Sequence, residues 1–534
     1  MKKYFPLILI LILGTILRFY HNTLVSLWHD EAFSVLMIRY PWHEMFYRLG
    51  LDVHPPGYYI LLRFWVYIFG GGLLALRSLS VLFGVGTIWA GFLLTKEAFK
   101  NEKAALWAAL FIAINPFQLK YVIEARMYTM GAFFALLAGY FLVKALHYYT
   151  ISYDSEKLNM PNLPNSVKLK KLMWWSYVGF TLSMIVIIYT HYYLFFTAAA
   201  LGFYGLLYLF FHHSTSAKAT GDRQGGWKKY LPMLSSLAVI AISFLPWLKT
   251  FLFQLGQVDQ NYWIPPMDRW SIPATFWDML LSFARDTTKG TTQIILLVIT
   301  LFSFYFLYRF VKKTESFHKW LVVFAVAAPF AGALLFALLS KLKGSNSSVF
   351  LDRYFLFASV YFSIALAVWL KEISLKWLSV SLFLIYVALN FSAYINFWQR
   401  ADVYNRPGMA GVAKFLQANV EPQNKIYINP SSIFFNYEYY NKTPVKPLFY
   451  TKGIAHVKDV PHYYGTALLT DADLVPDLKT VTRPGDTVWI IWTNGFYSSK
   501  PEVPLNWTQV DEREFPEVQP TPNISNYVTE YKVN

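Results

Sequence analysis

The feature that leaves this chain fewest choices is a repeated one. Apolar runs close to twenty residues long, almost free of charge, recur from Phe5 to Phe397. A helix of about twenty residues covers the ~30 Å hydrocarbon core of a bilayer. Hydrophobic residues make up 56% of the 534-residue chain and charged ones only 15%, too little charge for a soluble domain of this size. The runs therefore predict an α-helical polytopic membrane protein. There are no cysteines, which excludes disulfides, thiol catalysis and Cys-ligated zinc.

Met1-Lys2-Lys3 precedes an apolar run, Phe5 to Tyr20, with no small-residue cleavage site after it, so it reads as an uncleaved first span starting in the cytoplasm. Tyr58 to Phe69 is apolar but short and ends in Gly70-Gly71-Gly72, which suits a helix lying in the outer interface. The remaining spans are Arg77–Thr95, Ala104–Phe117, Tyr128–Lys144, Trp174–Tyr189, Leu194–Phe211, Leu231–Leu252, Ile294–Tyr308, Trp320–Leu339, Phe355–Leu370 and Trp377–Phe397. That makes about eleven. In this frame the basic clusters all fall in inner loops: Lys96, Lys100 and Lys103; Lys157, Lys168, Lys170 and Lys171; Lys218, Arg223, Lys228 and Lys229; Arg309, Lys312, Lys313 and Lys319; Lys371 and Lys376. The positive-inside rule then accounts for most of the net charge of +16, and nucleic-acid binding is not needed to explain it.

The chain divides into a transmembrane domain, residues 1–398, whose first external loop (20–76) holds interfacial helices, and an external soluble α/β domain, residues 399–534. In the latter, Met409 to Asn419 reads as an amphipathic helix, and Lys425–Ile428 and Thr487–Trp492 as strands, the second following the turn Arg483-Pro484-Gly485-Asp486.

With this topology the polar residues at span ends gather on the outer face. Ionisable residues there are costly unless solvated, paired or used. Asp30-Glu31 opens an amphipathic segment, Ala32 to Ile38, after the first span. An isolated acid pair is ordinarily a solvated one; here Asp30 is placed to act as general base toward a hydroxyl, with Glu31 supporting it or holding a cation. A second amphipathic piece, Glu44 to Leu51, leads to Asp52 and the stiff turn His54-Pro55-Pro56-Gly57, followed by Tyr58 and Tyr59. A rigid turn with an incidental histidine is an equal reading there. His with nearby acids suits a metal, but no HExxH-type spacing is present, so no metal ligands are assigned. Glu124-Ala125-Arg126-Met127-Tyr128 follows the third span. Arg126 is suited to clamp a phosphate, with pairing to Glu124 as the plain alternative. Arg353, beside Asp352 and Tyr354, is a second such cation, with snorkelling to the interface as its alternative. His191 in Tyr189-Thr190-His191-Tyr192-Tyr193 reads first as a packed interfacial histidine. Tyr262-Trp263-Ile264-Pro265-Pro266 adds aromatics in the long outer loop.

These motifs, in this order from Met1 to Phe397, resemble those of the protein O-mannosyltransferase and lipid A aminoarabinose-transferase group of C-type glycosyltransferases, in its bacterial and archaeal members. The resemblance implies a sugar donor on a polyprenyl phosphate and transfer on the non-cytoplasmic face of the cell membrane. It implies Asp30 as the catalytic acid position, Glu31 as its partner and Arg126 as the arginine that holds the lipid phosphate. Asp52, His54, Glu124, Tyr128, His191, Arg353 and Tyr354 are the further substrate-binding candidates. A divalent cation stays open, because some relatives use one and others do not. The acceptor is a lipid, a glycan or a protein, membrane lipids surround the chain, and no nucleic acid is expected. No WWD-type motif stands in the C-terminal domain, which argues against an oligosaccharyltransferase. The competing class, a lipid-linked sugar flippase or transporter, predicts charges at span centres and an internal repeat, and neither is evident.

Overall fold

The computed structural model describes residues 4–158, 166–220, 227–260, 263–282, 288–344, 348–495, 498–518 and 524–534. Lys2, Lys3, Arg223 and Tyr262, and the side chains of Lys157 and Lys218, lie outside the described residues. The chain folds into two compact units that do not follow it linearly. Residues 1–19, 80–123 and 127–394 form one; residues 20–79, 124–126 and 395–534 form the other.

The helices, in chain order, are α1 (Phe5–Phe19), α2 (His29–Met37), α3 (Trp42–Leu51), α4 (Gly57–Phe69), α5 (Leu73–Phe99), α6 (Glu102–Ile114), α7 (Pro116–Val122), α8 (Tyr128–Leu158), α9 (Ser166–Thr190), α10 (Leu194–Thr220), α11 (Leu231–Gln260), α12 (Ser271–Leu280), α13 (Gly290–Lys313), α14 (Lys319–Leu342), α15 (Leu356–Glu372), α16 (Lys376–Ala401), α17 (Gly408–Asn419), α18 (Phe434–Tyr440) and α19 (Leu478–Val481). Among the described residues nine helices are long and apolar enough to cross a membrane, and ten if the bent pair α6–α7 is one span. The chain is a multi-pass membrane protein. Eleven spans were expected. The remaining one corresponds to α1, whose 15 residues extend only about 22 Å. The 13-residue α4 is shorter still, as its sequence suggested.

Within the first unit, α15 is the central post. Its apolar window is 94% buried against α6, α8, α13 and α14, whereas α11 buries 17% and α13 22% of theirs. The exposed apolar faces of α11 and α13 are the kind of surface that lipid covers. The break between α6 and α7 has a covalent cause. Pro116 has no N–H to offer the Ile112 carbonyl, and its ring crowds the preceding turn. The axis bends by 52° there. Asn115 caps the new helix, its Oδ1 accepting from Gln118 N at 3.2 Å. The carbonyls released by the break are met by Arg18 of α1, a residue to which the sequence reading gave no part. Its Nη2 donates to Ile112 O at 3.1 Å and its Nη1 to Ala113 O at 2.9 Å and Gly14 O at 3.0 Å. Gly84 of α5 makes room for this guanidinium, since a Cβ there would lie 2.8 Å from Arg18 Nε.

The second unit holds α2, α3 and α4, the start of α5, the last turns of α16, and a six-stranded sheet. Its strands are β1 (Lys425–Ile428), β2 (Leu448–Tyr450), β3 (Leu474–Val475), β4 (Thr487–Thr493), β5 (Trp507–Pro516) and β6 (Ser525–Val533). The order is β3-β2-β1-β4-β6-β5, with the first four parallel and β6 and β5 antiparallel. β4 is paired on both sides, which explains its unbroken apolar run Val488-Trp489-Ile490-Ile491-Trp492. β5 is an edge, and Asp511, Glu512, Arg513 and Glu514 guard it. The helix expected from Met409 and the two expected strands are α17, β1 and β4.

Candidate active site

The acid pair sits in the first turn of α2, a position that the partial positive charge of a helix N-terminus favours. Trp28 precedes the helix in extended conformation, and the Glu31 carboxylate reaches back to its N–H at 3.4 Å, closing a capping arrangement. Successive residues on a helix point about 100° apart, so the two acids face different surroundings. Asp30 is half-buried and Glu31 fully buried.

Glu31 meets Arg77 of α5, which is fully buried too. Arg77 Nη2 donates to Glu31 Oε2 at 2.7 Å and Nε to Oε1 at 2.9 Å. Ala125 N adds a further bond to Oε1 at 2.8 Å. The same guanidinium donates to the carbonyls of Asn22, Val25 (2.9 Å) and Ser26 (3.2 Å). One side chain thus gathers the run 22–31 and ties it to α5. Sequence reasoning treated Arg77 as the edge of a span and missed this role.

Arg126 is buried within the same unit and donates to the backbone and to side chains around it. Nη1 reaches the Asp30 carbonyl at 3.2 Å, Ser34 Oγ at 3.0 Å and the Tyr59 hydroxyl at 3.4 Å; Nη2 reaches His54 Nε2 at 3.2 Å. A guanidinium can only donate, so His54 Nε2 accepts and the ring proton resides on Nδ1. Nδ1 then donates to Asp52 Oδ2 at 2.8 Å. The result is a chain Asp52–His54–Arg126 that ends at the backbone of Asp30. Burial pushes the His29 imidazole below its ordinary range, opposed by the charges of Asp30 and Asp52. Its ring packs on Phe435 with centroids 5.5 Å apart.

Asp30, Glu31, Asp52, His54, Glu124 and Arg126 therefore belong to one unit, and Tyr128, His191, Arg353 and Tyr354 to the other. In that other unit His191 is buried, accepting at Nδ1 from Tyr193 N at 3.1 Å. Its ring lies 4.8 Å from Tyr354 and 5.9 Å from Tyr128. The Arg353 guanidinium stands over Tyr128, Trp263 and Tyr354 at 5.8, 5.5 and 5.9 Å. Among the described residues no group of three or more His, Asp and Glu side chains is arranged to hold a metal ion.

A family model described as dolichyl-phosphate-mannose-protein mannosyltransferase matches residues 53–153. This stretch contains His54, Tyr59, Arg77, Glu124, Arg126 and Tyr128. A comparison with curated proteins gave no match. Among solved structures the chain is similar to ArnT from Cupriavidus metallidurans bound to undecaprenyl phosphate, with 12% identity, 98% of this chain and 97% of that one covered, and a TM-score of 0.48. It is similar to the Archaeoglobus fulgidus oligosaccharyltransferase tethered to an acceptor peptide, with 14% identity, coverage of 92% and 69%, and a TM-score of 0.48. The Saccharomyces cerevisiae Pmt1–Pmt2 complex bound to its sugar donor is matched at 16% identity over 50% of this chain and 38% of that one, with a TM-score of 0.35. The structural likenesses are ones of outline. The family match agrees with the group that the order of motifs resembles, the C-type glycosyltransferases.

Proposed function

We propose that the chain is an integral-membrane glycosyltransferase that moves a sugar from a polyprenyl-phosphate carrier to an acceptor hydroxyl on the non-cytoplasmic face of the cell membrane. Asp30 is the general base and Arg126 the cation for the carrier phosphate. The observation that carries this reading is the bond from Arg126 to the Asp30 carbonyl, which keeps a base and a phosphate-binding group side by side. The chemistry closes without a further reactant. The Asp30 carboxylate removes the acceptor's hydroxyl proton, and the oxygen attacks the anomeric carbon. The bond from that carbon to the phosphate oxygen breaks, and its electron pair leaves with the polyprenyl phosphate. A guanidinium fork suits the dianion that forms.

In this reading Glu31 is a positioning residue, because its carboxylate is engaged by Arg77. Asp52 and His54 orient Arg126. Arg353, set among aromatic faces, is a second donor-binding candidate, with His191, Tyr128 and Tyr354 beside it. Purified protein in lipid nanodiscs, given a labelled polyprenyl-phosphate sugar and a hydroxyl acceptor, tests the proposal. Asp30→Asn lowers transfer by about 10²–10⁴-fold with the thermal midpoint unchanged. Transfer by this variant near the wild-type rate removes Asp30 from its role. Movement of intact labelled lipid between leaflets without turnover makes the protein a flippase instead.

A further inference from the structure

The sequence left the C-terminal region without a part in the chemistry. Within its unit, however, that region is packed onto the acid-bearing segment in two places. The run just before α2 is held by it: Leu27 N donates to the Tyr440 hydroxyl at 2.8 Å, Asn436 Nδ2 to Leu27 O at 3.2 Å, and Ser26 Oγ to Pro407 O at 3.0 Å. Farther along, the 3₁₀ turn Thr466–Leu468 meets α2 and α3, and a second 3₁₀ turn, His462–Tyr464, packs against it. Arg48 of α3 donates to Ala467 O at 2.8 Å. Gly465 joins the two turns in a left-handed conformation, φ 78°, and a Cβ there would come within 2.3 Å of Phe435. Phe435 in turn packs on His29 and Phe33. His462, half-buried, stands in the neighbouring turn, its carbonyl accepting from Thr466 Oγ1 at 3.4 Å, which ties it to the turn that meets α2 and α3.

Arg126 brings the fixed positive charge that a phosphate needs. His462 brings a different chemistry. Burial pushes its imidazole below the ordinary range, with Asp52 opposing, so at neutral pH the ring carries one donor and one acceptor. Tyr463, exposed, and Tyr464 stand next to it. Neutral hydrogen-bonding groups beside aromatic faces suit a hydroxyl-bearing molecule better than an anion.

We propose that the C-terminal segment forms the acceptor side of the acid site, with His462 as the positioning residue that holds a polar group of the acceptor while Asp30 takes the hydroxyl proton. The inference rests on the glycosyltransferase reading. It is tested with the full-length protein in nanodiscs, a labelled polyprenyl-phosphate hexose as donor, and two acceptor probes, hexyl glucoside and a threonine-containing hexapeptide. Donor hydrolysis by water is followed in parallel. His462→Ala raises KM for the acceptor that is used by about tenfold, the loss of one hydrogen bond, and leaves donor hydrolysis and donor KM unchanged. His462→Gln, which keeps a donor and an acceptor on a side chain of similar reach, recovers part of the loss. A stable His462→Ala protein with wild-type acceptor KM overturns the inference and leaves the glycosyltransferase reading standing. If His462→Ala does not fold, His462→Gln decides: unchanged kinetics for every acceptor and altered donor KM each overturn the inference. A wild-type protein that neither hydrolyses nor transfers the donor sugar sinks both.

Discussion

Arg77 and Glu31 form a bidentate ion pair from which water is wholly excluded, with Nη2 2.7 Å and Nε 2.9 Å from the two carboxylate oxygens. Because the guanidinium also takes up three carbonyls of residues 22–26, the pair fixes the backbone on which Asp30 is mounted.

Removing one partner of a buried pair strands the other's charge, at about 3–5 kcal/mol. Glu31→Ala and Arg77→Ala are expected to lower the thermal midpoint sharply and to abolish transfer. Arg77→Lys keeps the charge and loses the fork, so its midpoint falls between those of the wild type and Arg77→Ala. Thermal unfolding in nanodiscs followed by tryptophan fluorescence checks this; a wild-type midpoint for Glu31→Ala would show that the pair is not a structural clamp.

Arg126 is expected to act on the donor. Charge-assisted hydrogen bonds contribute about 1.5–3 kcal/mol each, so Arg126→Ala weakens binding of undecaprenyl phosphate by roughly 10–100-fold. Titration of that lipid against the purified variant reads the change. Arg126→Lys falls between, because a point charge cannot bond several acceptors at once. Unchanged lipid affinity in Arg126→Ala moves the phosphate site elsewhere, with Arg353 the next residue to test.

The Arg18 side chain replaces hydrogen bonds that Pro116 denies to α6. Arg18→Met is expected to cost about 3 kcal/mol or more, since buried carbonyls lose charged donors. Pro116→Ala restores an N–H for Ile112 O. The double variant should therefore lose less stability than the sum of the singles, by about 0.5–3 kcal/mol. Additive losses in a denaturation series would show that the two are uncoupled.

Acid should destabilise the second unit through His29. Its folded-state pKa lies below the unfolded value of about 6.5, so the unfolded chain binds the proton more readily. Stability is complete above that value and declines as pH falls below it. The thermal midpoint of the wild type is expected to drop between pH 7 and 5. His29→Gln should flatten that slope; an equal slope in the variant would assign the acid sensitivity to other groups.

The helical frame was legible because bilayer thickness imposes one length on every span, and β4 was legible because a central strand is apolar on both faces. Asp52 and His54 could be paired by eye, being two residues apart across a stiff turn. The bonds that shape the candidate site could not. Arg77 reaches Glu31 across 46 positions and Ala125 reaches it across 94. His54 meets Arg126 across 72 positions, and Tyr440 meets Leu27 across 413. No local periodicity encodes such contacts. An arginine at the head of an apolar run reads as a boundary marker, and the same letter serves for a snorkelling side chain and for a buried knot. Arg18 shows this most plainly: one basic residue near the end of a hydrophobic helix suggests anchoring, and nothing short of the fold reveals that it is spoken for by α6.

The guanidinium of Arg18 gives the first helix a duty in holding the shape of another one. Here the excision of residues 5–19 would strip two peptide oxygens of their donors at a depth where solvent cannot replace them. The stub left behind should reopen the elbow at Pro116, so the bend between α6 and α7 is held from outside its own helix pair.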